Sequence, residues 1–146
     1  MASNITDYGE NLLVGTLFGA STAVPTVFWM ALCTQAPQIS DDGTTILEPT
    51  VGAYTRVSFA NTTAFWSAPS GGLVLNVAAI TFPLCTADWP SVTHYAFTSA
   101  VTGGNMYLYA PLQVPRVVST GHLCKFDIGQ LSISLQGQRQ SILAHS

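Results

Sequence analysis

The chain has 146 residues, a length that fits one domain, and only 8% of them are charged, for a net charge of −3; about 25% charged is usual. Four scattered cations, Arg56, Arg116, Lys125 and Arg139, cannot displace counterions from a phosphate backbone, so no direct nucleic-acid role is expected. The longest apolar stretches, 23–33 and 73–83, fall short of the roughly 18–20 residues of a spanning helix. The first residues also lack the basic and apolar regions of a secretion signal, so neither a membrane role nor export is expected.

In chain order, residues 5–18 are predicted to form the one helix. Asp7 is placed to cap it, and Glu10 follows at nearly capping-box spacing. Tyr8, Leu12, Leu13 and Leu17 define one apolar face, and Gly19 ends the helix. Gly9 and Gly15 each cost about 1 kcal/mol relative to alanine, so this helix needs a surface to dock on. Thr26–Cys33, TVFWMALC, reads as a strand buried on both faces. Gln35–Gly52 is polar and holds Asp41-Asp42-Gly43, so it reads as a long loop. Ala53–Phe59 alternates, with Tyr54, Arg56 and Ser58 sharing a face. Phe65-Trp66 precedes a turn at Pro69-Ser70-Gly71-Gly72, and Leu73–Phe82 reads as another strand, ended by Pro83.

Ser91–Thr98 places Thr93, Tyr95 and Phe97 on one face. Thr102-Gly103-Gly104-Asn105 is a hairpin turn, and Met106–Leu112 is the partner strand. Val114–Ser119 reads as a short edge segment because of its proline. His122–Ile128 alternates, as do Leu131, Ile133 and Leu135 with Ser132 and Ser134. Residues 136–146 form a polar tail. Short strands with turn signals between them predict a mainly β fold: an antiparallel β-sandwich or barrel-like domain over 1–135, with one short N-terminal helix.

Chemistry-bearing patterns are sparse. Cys33, Cys85 and Cys124 lie far apart and read as buried, reduced thiols. His122 and Cys124 share a strand face, but one such pair falls short of the four ligands of a closed zinc site. Asp41-Asp42-Gly43 lacks the alternating oxygen ligands and closing glutamate of a calcium loop. No phosphate loop or nucleophile elbow is present, and the carboxylates are dispersed. No catalytic residue, cofactor or metal is expected, and the chain reads as a non-enzyme. A surface this poor in charge suits coverage by other subunits, since interface centres are depleted of charge. The candidate partner contacts are Tyr54, Arg56, Trp66, Asp41 and Asp42. An alternative role for Trp66 and Tyr54 is a sugar-binding platform.

Three segments carry a family resemblance: Gly52-Ala53-Tyr54-Thr55-Arg56; Phe82 to Tyr95, with its Trp-Pro-Ser-Val-Thr-His stretch; and Thr102-Gly103-Gly104-Asn105 before Met106-Tyr107-Leu108-Tyr109. In this order, after a short helix, they resemble small tailed-bacteriophage virion proteins often labelled tail-fibre-like. Similar small β-proteins decorate capsids. The resemblance implies a virion structural subunit, made in the host cytoplasm. No coiled-coil heptads are present to build a shaft, which puts a capsid decoration (cement) subunit first and a tail or tail-fibre component in host-surface recognition second. The implied partners are the major capsid protein or other virion proteins, with a homo-oligomer, trimer or dimer, favoured by shell symmetry. The N-terminal segment, the 35–52 loop and the tail are the expected grips. The family often has a glycine triplet before the tyrosine, where this chain has Val51-Gly52-Ala53.

Overall fold

A computed structural model describes residues 4–19 and 24–134. The expected polar tail, Leu135 and residues 20–23 lie outside the described residues. The elements are β1 (Asn4–Ile5), α1 (Asp7–Leu17), β2 (Val27–Cys33), β3 (Val57–Ala60), β4 (Leu73–Leu75), β5 (Ile80–Thr81), β6 (Val92–Thr98), β7 (Met106–Arg116), β8 (Lys125–Phe126) and β9 (Ser132–Ser134). Five strands form one sheet in the order β1-β7-β6-β2-β3, while β4-β9 and β5-β8 form two short ribbons. Every pairing is antiparallel. The mainly β expectation with one helix therefore holds.

Strand β2 explains how the layers divide. Met30 and Leu32 point to one face, where they join Phe59, Phe82, Trp89, Phe97, Phe126 and Leu131 in the main core. Both ribbons contribute to that layer, β5-β8 through Ile80 and Phe126 and β4-β9 through Ile133. Ala31 and Cys33 point the other way, onto Ile46, Ala96 and Met106. Large side chains thus face the thick layer and small ones the thin layer under the long loop. Each fully buried large apolar side chain contributes about 1.5–3 kcal/mol.

Helix α1 is capped one residue earlier than expected. The Thr6 hydroxyl accepts from the Gly9 N–H at 3.0 Å, the usual N-cap bond, and its proton faces the Met106 and Tyr107 carbonyls. The docking face differs as well. The helix residue it buries is Gly9, and a Cβ there would overlap the Tyr107 carbonyl. Glycine lets the helix backbone seat directly on β7. Of the expected apolar face, Leu12 is half-buried, whereas Tyr8, Leu13 and Leu17 are exposed.

Two strand expectations are corrected. The 73–82 run splits into β4 and β5 because Asn76 is fully buried between them. Its amide donates to the carbonyls of Ala78 and Asp127 and accepts from the Leu131 N–H. The edge segment expected at 114–119 is instead the end of β7, which continues through Pro111 and Pro115 to Arg116. Prolines fit there because β1 pairs only with Leu108 and Tyr109, leaving the rest of that edge without a strand neighbour. Of the 122–128 run, only Lys125–Phe126 is strand.

Candidate functional site

The long loop is held down by one arginine. Arg56 projects from the segment entering β3 and is 4% exposed. Its Nε and Nη2 donate to the two Glu48 carboxylate oxygens at 3.0 and 2.8 Å. Nη2 also donates to the Gly43 carbonyl, and Nη1 reaches Thr98 Oγ1 and the carbonyls of Ala100 and Gly103. Tyr54 completes the cluster: its hydroxyl donates to Glu48 at 2.6 Å and accepts from the Leu32 N–H at 2.9 Å. The loop, the end of β6 and the hairpin turn thus meet at one guanidinium, and β2 joins the cluster through Tyr54. Burial, and then the Glu48 charge, raises the Tyr54 hydroxyl pKa far above its ordinary value. The same two causes push Cys33 up to about 12.

This arrangement turns the polar atoms of Tyr54 and Arg56 inward. A guanidinium has five N–H donors, and all of these have acceptors inside the chain, leaving none for a partner. Breaking such a buried pair by removing one member costs about 3–5 kcal/mol. Glu48 was missed by sequence reasoning. Its signal is an acid in the otherwise apolar stretch Ile46-Leu47-Glu48-Pro49, placed before a lone strand arginine.

Asp41 and Asp42 lie in the same loop and shape it. Asp41 accepts from the Gln38 N–H and the Thr45 hydroxyl. Asp42 accepts from both the N–H and the hydroxyl of Thr44, and these bonds hold its carboxyl below the usual range. Trp66 sits apart from these four, half-buried, with its ring 4.8 Å from Phe65, 5.7 Å from Phe59 and 6.0 Å from Phe97. It acts as a packing residue of the main core.

The reactive side chains are muted. All three cysteines are free thiols and buried, and burial raises Cys124 as it does Cys33. His94 is lowered by burial and its Nδ1 lies 2.8 Å from the Thr93 hydroxyl. Among the described residues, no three His, Cys, Asp or Glu side chains converge as metal ligands would.

What the molecule offers outward is apolar. Leu13, Val14, Leu17 and Phe18 of the α1 region are exposed, the last two by 76% and 77%. At the far end of β7, Val114 and Val117 are 71% and 69% exposed, with Leu123 and Ile128 also outward. Between β7 and the turn joining β8 to β9 runs a groove of about 390 Å³, lined by Leu112, Gln113, Arg116, Phe126 and Gln130. Arg116 is ordered there: its guanidinium lies 4.4 Å from the Phe126 ring centre and donates to the Lys125 carbonyl at 2.8 Å.

No curated protein matches this chain. A family model described as podophage GP4 fiber I protein gp80 matches residues 4–134, which takes in β1 through β9, the loop anchor and both apolar surfaces. The chain therefore belongs to the podophage GP4 fiber I protein gp80 family, and it is a structural protein of a tailed-phage virion.

Proposed function

We propose that this chain is a fibre or tail component of the podophage particle that works by contact with other virion proteins and not by catalysis. The observation that carries the reading is the exterior: large apolar side chains stand outward at α1 and at the end of β7 on a chain with few charges. Exposed apolar side chains gathered on a helix and a strand end are what a protein interface covers. The family description supplies the word fibre, which supports this reading, whereas the sequence alone put decoration first. Cys33 and Cys124, whose ionisation burial opposes, support the non-catalytic reading, since the thiolate is the nucleophile.

Capsid decoration is the second reading, favoured by the low charge, which lets many copies pack without mutual repulsion. Quantitative mass spectrometry of purified virions separates the two. A fibre or tail role predicts few copies per particle and labelling at the tail; hundreds of copies spread over the shell would overturn it in favour of decoration. Turnover of any cell-wall or glycan substrate by the purified protein would overturn the non-catalytic part.

A further inference from the structure

We infer that α1 of one copy docks onto the Arg116 groove of another, so that the chain assembles head to tail. The inference rests on the reading of the chain as a contact-making virion subunit, and it names the contact.

Two patches on the molecule complement each other and have no partner among the described residues. On α1, Glu10, Leu13, Val14 and Leu17 fall at helical spacing along one exposed stripe. The helix has Asp7 and Glu10 in its first turn and no base in its last. Among the described residues, neither acid has a cationic partner. At the other site, Arg116 sits in a groove with the exposed Val114 and Val117 beside it. Of the described cations, Arg56 is paired with Glu48 and Lys125 with Asp127; Arg116 has no carboxylate. An ordered arginine among exposed apolar side chains is the composition of an interface hot spot. An amphipathic helix laid in a groove is a recurrent way to fill one.

The start of α1 and the groove stand at opposite ends of β7. Thr6 is bonded to Tyr107, so α1 starts beside the first residues of β7. Arg116 is the last residue of that strand, nine positions on and on the order of 30 Å away at the usual strand rise. Two different, complementary surfaces of one molecule make a heterologous contact, which closes into a ring or continues as a filament. A sugar ligand is the weaker occupant, because the aromatic face in the groove, Phe126, is already covered by Arg116.

The test is charge reversal followed by sedimentation velocity on the full chain. Wild-type protein self-associates at high micromolar concentration. Glu10→Arg and Arg116→Glu each weaken that association by at least about tenfold, because each puts like charges together, and the double reversal E10R/R116E restores it. Leu17→Glu, at an exposed position, abolishes association with an unchanged circular dichroism spectrum, which covers the case of R116E failing to fold. A monomeric wild type, association indifferent to E10R and L17E, or a double reversal that stays dissociated would overturn the inference. So would saturable binding of an acidic oligosaccharide lost in R116E with association unchanged. Copy number on the particle is measured separately, so a monomeric protein still found in virions defeats this contact and leaves the structural reading standing.

Discussion

Arg56 and Arg116 are the same residue put to opposite uses. Arg56 lies inside the molecule, bonded to a carboxylate, a hydroxyl and three carbonyls from three segments of chain. Arg116 lies at a groove, stacked on one ring and bonded to one carbonyl, with no carboxylate of the described residues beside it. A buried cation must be fully satisfied where it stands, because its desolvation is otherwise uncompensated. A half-exposed one keeps its hydration and can exchange part of it for a partner. Burial and bonding therefore separate the arginine that holds the fold from the arginine available to a neighbour.

The largest expected effect is at the inner site. Arg56→Met leaves the Glu48 carboxylate and three carbonyls without their donor and costs about 3–5 kcal/mol, read as a lower denaturant midpoint. A loss under about 1 kcal/mol would mean the loop is held by its apolar contacts alone. Next is Gly9→Ala. Alanine is the better helix former, yet its methyl overlaps the Tyr107 carbonyl, so about 1–3 kcal/mol is lost to overpacking. A stabilised G9A protein would show that α1 does not seat on β7 through this residue.

Smaller and opposite in sign is Ala53→Gly. Ala53 has φ 63°, a left-handed conformation that costs an L-residue roughly 1–2 kcal/mol. It follows Gly52, whose carbonyl accepts from the Trp89 indole N–H at 2.9 Å. Glycine at 53 gains about 1 kcal/mol, seen as a higher melting temperature. The smallest effect concerns pH. His94 is lowered by burial, so the folded state resists its protonation. Stability is therefore full above the unfolded value of 6.5 and declines as pH falls below it. His94→Gln flattens that decline between pH 7 and 5; an unchanged slope would assign it elsewhere.

The β-rich architecture was legible because alternation carries it: Tyr95 and Phe97 face the main core while Ala96 faces the thin layer, as their spacing required. The Gly103-Gly104 turn was legible because both residues need positive φ. What escaped depends on contacts distant in sequence. Asn76 sits in an apolar run and shows its purpose only when Asp127 and Leu131 arrive. Gly9 reads as a helix defect until Tyr107 lies beneath it. Of the five candidate contacts, Tyr54 and Arg56 turn their polar atoms to acceptors and donors inside the chain. Their partner Glu48 is hidden by a loop whose path the sequence does not specify. Arg116 passed unnoticed because its ring partner, Phe126, comes from a different strand.

The comparison is tested most directly by measuring folding stability and self-association on the same two proteins, Arg56→Met and Arg116→Glu. The account predicts that R56M loses about 3–5 kcal/mol of stability, while R116E loses under about 2 kcal/mol yet fails to self-associate. The reverse pattern, with R116E unfolded and R56M stable, or an R116E protein that associates like wild type, would contradict it.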